Sequence, residues 1–451
     1  MNIRSRFVVA VLLACSSAMA GSLDDIKLSC GQRASINAGK HWLEQCVENV
    51  FGAPIHPALQ TIAPGTGLGL GIGVSRAWRR GELEIIPSGV VVASADRSSL
   101  LRGDLTLAFP AVSLGRRIAD APDGVHEHGT SRLALDVDAW DIDAKASISF
   151  RARRIEAQRQ AFYGESTFST LSGLAYYHQR ETSFGLTAND PITPWAETGV
   201  AVDESAPHIT GANMGTVPPL DQRYHESSAP GIEYQPRFMR YEPYLHLRFT
   251  HLGHDFRFTD LKLRYAFYHD LDTSRYSFQQ FSATSETEYQ LRIPSVGTAS
   301  HRSALKNFLC PEMRGAHHCS LGTLSVLDSL TVAQIGKGSV VPFYLQPTLG
   351  GATVDGSDTL RGFVDFRFRG PDRMFFQTEY RHAIWGPVGL ISFYDVGRVA
   401  QTVSDLSFVH LRHDFGLGLT ISATNRVVIR AYVAFGSGEP IRPNAKFGAG
   451  I

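Results

Sequence analysis

Apolar and polar residues alternate with a period of two along most of this chain. Residues 67–74 alternate glycine with leucine, isoleucine or valine, and residues 245–250 alternate leucine or phenylalanine with histidine, arginine or threonine. Residues 415–422 repeat the pattern with glycine, threonine and serine at the polar positions. Because successive side chains of a strand point to opposite faces, this period predicts strands with one apolar and one polar face.

Two all-β architectures contain such strands. In a secreted sandwich the apolar faces pack into a core, whereas in a transmembrane barrel they face lipid and the polar faces line a wet lumen. The length of the strand-rich region and the aromatic strand ends favour the barrel. At roughly 10 residues per spanning strand, residues 65–451 hold about 14 to 18 strands, and we predict a transmembrane antiparallel β-barrel of about 16. The irregular stretches 187–230 and 296–322 are predicted to be extracellular loops.

The first residues carry the features of a secretory signal peptide at 1–20. A positively charged start precedes an apolar run at 7–14 and a small-x-small cleavage site at 18–20. The apolar run is too short to span a bilayer as a helix. A lipoprotein cleavage box with Cys15 as the lipidated residue is the alternative, and it fits less well. We therefore expect export, with the outer membrane of a Gram-negative bacterium as the destination.

Residues 21–64 are predicted to form a separate N-terminal segment. Residues 35–50 have the pattern of an amphipathic helix, with Trp42 and Val50 on about the same face. A lone helix of this length needs a surface to pack on, and the bare glycine face of residues 67–74 offers one. We predict a plug-like helix in or at the lumen. A flexible, glycine-rich first strand is the alternative.

Four cysteines follow the signal peptide, at Cys30, Cys46, Cys310 and Cys319. In an oxidising compartment they are expected to form disulfides. Sequence alone allows three connectivities, and proximity favours Cys30–Cys46 and Cys310–Cys319. The spacing around Cys319 matches no closed zinc site.

Charge and motif content narrow the function classes. Lysine plus arginine and aspartate plus glutamate both number 43, so the formal charge is zero and no strong field for nucleic acid is implied. The chain contains no G-x-S-x-G, H-E-x-x-H or P-loop sequence. We expect no catalytic activity, no cofactor, no metal site and no nucleic-acid partner.

Three short motifs lie in order between residues 341 and 399. They are Leu360-Arg361-Gly362-Phe363, then Glu379-Tyr380-Arg381, then Phe393-Tyr394-Asp395-Val396-Gly397. Together they resemble the BamA-like superfamily of outer-membrane assembly and secretion barrels, the bacterial surface antigen family. The resemblance implies a role in outer-membrane protein insertion or in protein or lipid translocation. It also implies that a loop carrying Arg361 is locked against the inside of the barrel.

Strand parity gives a physical reason for this lock. If Tyr380 and Tyr394 face lipid, Glu379 and Asp395 face the lumen. Arg361 can then make charge-assisted, bidentate bonds to these carboxylates. A static structural clamp is the alternative to a lock needed for activity.

The chain departs from the family in two ways. The segment before the first expected strand is too short for a POTRA domain, so we expect a short member that lacks them. The last residue is Ile451 rather than an aromatic residue. The expected partners are outer-membrane lipid, client outer-membrane or secreted proteins, and a separate periplasmic protein in place of the POTRA domains. A passive pore or a barrel that anchors surface loops is the alternative function.

Overall fold

The computed structural model describes residues 54–110, 145–193, 195–250, 256–294, 318–353, 357–385, 388–423 and 426–447. The predicted signal peptide, the helix at 35–50 and the cysteines Cys30, Cys46 and Cys310 lie outside these residues. Of Cys319 only the backbone is described, and it pairs with Ile293 in a strand.

Strands make up almost all of the regular structure. In chain order they are β1 (Ile55–Thr61), β2 (Leu68–Ser75), β3 (Trp78–Arg80), β4 (Leu83–Ser94), β5 (Ser99–Pro110), β6 (Lys145–Phe162), β7 (Ala175–Thr193), β8 (Ala196–Gly211), β9 (Phe238–Thr250), β10 (Phe256–Asp270), β11 (Phe278–Pro294), β12 (His318–Ile335), β13 (Thr348–Leu349), β14 (Gly351–Ala352), β15 (Asp358–Thr359), β16 (Phe368–Arg369), β17 (Asp372–Trp385), β18 (Val388–Ala400), β19 (Arg412–Ala423), β20 (Arg426–Gly436) and β21 (Arg442–Phe447).

Helical structure in the described ranges is short. A single α-helix, α1 (Leu220–Arg223), is described there, with 3-10 turns at Leu171–Gly173, Phe343–Leu345 and Val403–Asp405. No helix in this part of the chain has the length and apolar character needed to cross a membrane.

One antiparallel sheet of 17 strands contains all the strands except β13 to β16. Each long strand pairs with the next one in the chain, from β1–β2 and β2–β4 to β12–β17 and on to β20–β21. The three-residue strand β3 pairs only with β4. In the residues that the structure describes, no ladder joins β1 to β21. The predicted all-β, antiparallel architecture is confirmed.

The two faces of the sheet differ as the alternation requires. On β19, Phe415, Leu417 and Leu419 are 53%, 56% and 51% exposed, while Asp414 and Thr420, which flank them, are buried. No residue that the structure describes covers these side chains of the apolar face. A secreted sandwich would bury that face in its core, so the structure disfavours that alternative.

Buried side chains gather on the other, polar face and at one end of the strands. Phe162, Phe238, Tyr276 and Phe343 form a cluster where the loops after β6, β8, β10 and β12 meet. A second cluster contains Leu360, Phe363, Phe375 and Val399. We call the end of the strands where these loops lie the loop end.

The predicted boundary at residue 64 is wrong, because Ile55–Thr61 of the predicted helical segment forms β1. The glycine-rich stretch is therefore the second strand rather than the first. β1 contains Pro57, and proline is tolerated there because β1 pairs on one side only in the described sheet. The bare glycine face receives a side chain of β1, since the ring of His56 lies where a Cβ on Gly73 would be.

The predicted extracellular loops also need correction. Residues 187–211 belong to β7 and β8, and only 212–237 connects strands. That connection lies at the loop end, whereas β11 ends and β12 begins at the opposite end, so the two stretches cannot both be extracellular. Composition misled here because acidic and glycine residues are accepted on a polar strand face.

Candidate functional site

The described residues of the loop between β12 and β17, 336–353 and 357–371, lie against the polar face of the sheet. It contains two small antiparallel ladders, β13 with β16 and β14 with β15. At its tip Leu360 has a φ of 38°, in the left-handed region that a leucine rarely adopts. The Phe363 amide donates to the Leu360 carbonyl at 2.9 Å, which closes the tip. This tight turn presents Arg361 to the sheet.

The structure brings Arg361 together with both predicted carboxylates. Its Nε and Nη2 donate to Asp395 Oδ2 at 2.9 Å and Oδ1 at 2.8 Å, and its amide donates to Oδ2 at 3.2 Å. Its Nη1 donates to Glu379 Oε2 at 2.5 Å. Arg361 is 1% exposed and Asp395 is fully buried. Charge-assisted, bidentate bonds in such a buried site fix the geometry of the loop tip.

An aromatic ring packs against the face of the Arg361 guanidinium. The Arg361 Cζ lies 3.5 Å from the centroid of the Phe393 ring. Tyr432 meets that ring edge-on at 5.3 Å. Phe393 also covers Gly416, where no larger residue would fit. The sequence motif contains Phe393, but its part in holding Arg361 by a cation–π contact was not predicted.

A third carboxylate, Asp414, lies beside the pair and was missed. It is buried, and its Cα is the direct cross-strand partner of Asp395. A Cβ on Gly362 would come within 2.7 Å of Asp414 Cβ and 2.6 Å of the Gly436 amide nitrogen. Gly362 is therefore required for the close approach of the loop to β19 and β20.

Two other arginines of the sheet also lie near the Glu379 carboxylate. Arg430 Nη2 lies 3.3 Å from Glu379 Oε1. Arg381 Nη2 lies 2.5 Å from Glu288 Oε2, and its Nε lies 3.8 Å from Glu379 Oε1. The clamp is thus part of a network of alternating charges that extends from β11 to β20.

The other predicted motif residues pack the loop tip. Leu360 and Phe363 are buried in one cluster with Phe375 and Val399. A Cβ on Gly397 would lie 2.8 Å from the Met374 carbonyl oxygen and 3.0 Å from Leu349 Cδ1, so the loop approaches the wall closely there as well. Arg442 on β21 donates to the Phe363 carbonyl.

Two more buried arginines fasten the same loop, and neither was predicted. Arg367 Nε lies 2.6 Å from Glu439 Oε1, and its Nη1 donates to Ser169 Oγ at 2.8 Å. Arg369 is 1% exposed and donates through Nη1 to the Phe343 carbonyl at 2.5 Å. The sequence does show two arginines, six and eight residues after Arg361. This spacing by itself does not identify their partners.

The loop after β6 makes hydrogen bonds to β18 and β19, which are distant from β6 along the sheet. Thr167 Oγ1 donates to the Val399 carbonyl at 2.6 Å and accepts from the Val399 amide at 2.9 Å. Arg412 Nε donates to the Thr167 carbonyl at 3.0 Å. Seven strands, β7 to β12 and β17, separate β6 from β18 along the sheet. These contacts therefore require a sheet that curls round on itself.

Glu165 joins this bridge to the clamped loop. Its carboxylate accepts from Gln346 Nε2 at 2.8 Å, and its carbonyl accepts from Gln401 Nε2 at 3.2 Å. Burial raises the pKa of the Glu165 carboxyl to about 7, although the hydrogen bond from Gln346 acts in the opposite direction. The contact between the two loops thus includes a group that titrates near neutral pH.

Neither a protein-family model nor a curated protein matches the chain. Solved structures are similar to it. BamA from Haemophilus ducreyi lacking POTRA domains 1-3 matches 94% of this chain and 82% of its own, with 11% identity and a TM-score of 0.49. CdiB from Acinetobacter baumannii matches 85% of this chain and 56% of its own, with 11% identity and a TM-score of 0.43. CdiB from Escherichia coli matches 87% and 61%, with 9% identity and a TM-score of 0.45.

The chain is similar in structure to BamA and CdiB. It spans less than two thirds of the length of either CdiB chain.

Proposed function

We propose that this chain is an outer-membrane β-barrel of a Gram-negative bacterium. In this proposal it takes part in inserting outer-membrane proteins, or in moving protein or lipid across that membrane. The observation that carries the proposal is the loop of residues 336–371, folded onto the polar sheet face and fastened there by Arg361 to Asp395 and Glu379. The resemblance of the three motifs to assembly and secretion barrels supplies the function class.

The barrel itself is part of the proposal. Leaving out β3 and the four strands of the loop, 16 of the 21 strands remain, an even number as in bacterial barrels. Closing the sheet would bring β1 next to β21. The exposed apolar residues on the outer face would then contact lipid, and the charged residues of the polar face would line a wet lumen.

The seam between β1 and β21 is the proposed site of activity. In the part of the chain that the structure describes, these two strands have seven and six residues, whereas β6 and β7 have 18 and 19. A short pairing has few ladder bonds to break, and an opened edge presents unpaired backbone groups to an incoming strand. A client protein can thus pair with β1 or β21 by adding a strand.

The clamp lies where it can hold the wall beside this seam. Asp395 and Phe393, which hold Arg361, lie on β18. Gly362 lies against Asp414 on β19 and Gly436 on β20. Arg442 on β21 donates to a carbonyl of the loop tip. A buried guanidinium left without its carboxylates would be strongly destabilising. In our account the loop therefore stays in place and keeps the last strands in register while the seam opens.

The test of this function ties β1 to β21 with a cysteine pair. Proteoliposomes with the tied barrel should insert an unfolded outer-membrane client more slowly than the same protein after reduction. Single-cysteine variants are the controls. Equal insertion by the tied and reduced proteins would refute opening at the seam.

A passive pore remains the second candidate because the lumenal face of the sheet is charged. Arg240, Asp260 and Lys262 face the same side as Arg264 and Glu286 on β9 to β11. Planar-bilayer conductance separates the candidates. A large, steady conductance together with no client insertion would favour the pore.

A further inference from the structure

The outer face of strands β2, β4, β5, β6 and β7 carries a groove of about 480 Å³. Gly89, Gly103 and Ala152 form its floor, and they lie directly opposite one another across β4, β5 and β6. Ile72 stands on one side of this floor and Phe184 on the other. Small residues in register between large ones explain why the sheet surface is concave here.

Two arginines lie at the rim of the groove, on its side nearer to the loop end. Arg154 lines the groove and pairs across the ladder with Thr182, and Arg180 lies diagonally next to it on β7. Both side chains are exposed, and neither forms an ion pair with any residue that the structure describes. Glu156, the cross-strand partner of Arg180, lies 3.4 Å from His178 Nε2 instead. The rim therefore has positive charge without an acceptor.

We propose that this groove binds one phosphate-bearing lipid. An acyl chain lies over Gly89, Gly103 and Ala152, and the phosphate lies between Arg154 and Arg180. An apolar groove alone would accept any hydrocarbon chain, so the charge complementarity at the rim selects the lipid. Guanidinium groups bind phosphate through charge-assisted and often bidentate bonds. The inference rests on the proposed membrane location and adds a specific lipid to it.

Native mass spectrometry of the purified barrel in detergent tests the site. The probes are phosphatidylglycerol and a diacylglycerol with the same chains but no phosphate. The wild-type protein should retain one phosphatidylglycerol and little diacylglycerol. Replacing both arginines, Arg154→Gln with Arg180→Gln, should weaken phosphatidylglycerol binding at least ~10-fold. The control Arg80→Gln removes an exposed arginine at the opposite end of the strands, and it should leave phosphatidylglycerol binding unchanged.

A second variant tests the floor of the groove. Gly89→Leu should fill it, and a Cβ there would lie 3.4 Å from Val74 Cγ2 and 3.5 Å from the Arg102 carbonyl oxygen, which are ordinary contacts. This variant should fold and should lose retained phosphatidylglycerol. Equal retention by the wild type and the double arginine variant, or by the wild type and Gly89→Leu, would overturn the inference.

Membrane fractionation and heat-modifiable mobility on gels separate this failure from failure of the proposed function. A folded, membrane-embedded barrel without preference for the phosphate-bearing lipid refutes the lipid site alone. A wild-type protein that is absent from the membrane fraction refutes the barrel and the lipid site together.

Discussion

Asp395 and Asp414 lie directly opposite each other on β18 and β19, and Arg361 hydrogen-bonds to the first of them. Both carboxyls are buried. The ion pairs that surround Arg361 in the described part of the chain involve Glu379 and Asp395 and do not include Asp414. The clamp therefore contains one acidic group that holds the guanidinium and a second that stands close to the first.

This arrangement predicts opposite effects for two matched substitutions. Asp395→Asn removes the charge that pairs with a buried guanidinium, and it should lower the free energy of unfolding by about 3–5 kcal/mol. Asp414→Asn keeps the shape that Gly362 packs on and removes no bond to Arg361, so stability should stay level or rise. Urea unfolding in detergent, followed by tryptophan fluorescence, measures both. An equal loss in the two variants would make Asp414 a partner of Arg361 instead.

The backbone contact of Gly362 predicts a strong effect from a single methyl group. In Gly362→Ala the Cβ would lie 2.6 Å from the Gly436 amide nitrogen, and a strand backbone cannot move aside. Overpacking of this kind costs about 1–3 kcal/mol and should displace the loop tip. Gly336→Ala in the same loop is the control, because its Cβ would meet only Ser339 Oγ at 3.8 Å. Limited proteolysis should cut the loop faster in the first variant alone.

The partly buried Glu165 predicts a pH-dependent contact between the loops after β6 and β12. Its pKa is raised from 4.5 to about 7, chiefly by burial, so the folded loops favour the protonated carboxyl. The stabilisation it gives is complete below pH 4.5 and is lost as the pH rises through 7. Protease cleavage within residues 163–174 should speed up on the order of 10-fold between pH 5 and pH 8.

The control for this prediction is Glu165→Gln, which keeps the hydrogen-bonding shape without a titrating group. Its cleavage rate, corrected for the activity of the protease, should show no change over the same range. A pH dependence as strong as in the wild type would assign the effect to another group.

Thr167 predicts a role for the loop that bridges the sheet. Thr167→Val keeps the volume but leaves the Val399 amide and carbonyl without their bond to Oγ1. An unsatisfied buried polar group costs about 1–3 kcal/mol, so the bridge should loosen. Planar-bilayer conductance should rise. Thr170→Val, at an exposed position of the same loop, should conduct like the wild type.

Strand parity explains why much of the site could be predicted from sequence. A period of two puts Glu379 and Asp395 on the face opposite Tyr380 and Tyr394, and the long loop brings Arg361 to that face. Asp414 obeys the same parity, but nothing local distinguishes it from other polar residues of the sheet. Its importance depends on register between β18 and β19, which the sequence does not state.

The remaining features depend on contacts between distant parts of the chain. Arg367 meets Ser169 across 198 residues, and Thr167 meets Val399 across 232. No spacing rule connects such positions, because the curvature of the sheet brings them together. β1 was missed for a related reason, since its pairing with β2 depends on a register that the sequence does not show.

The most direct test of the central claim measures client insertion by Arg361→Ala in proteoliposomes, at equal amounts of folded, membrane-embedded barrel. Arg264→Ala, which removes an inward arginine of β10, is the control. If the clamped loop holds the wall beside the seam, Arg361→Ala should insert client at least ~10-fold more slowly, Asp395→Ala should match it, and the double variant should be no worse. Wild-type insertion by an Arg361→Ala barrel whose loop is open to protease would contradict the account.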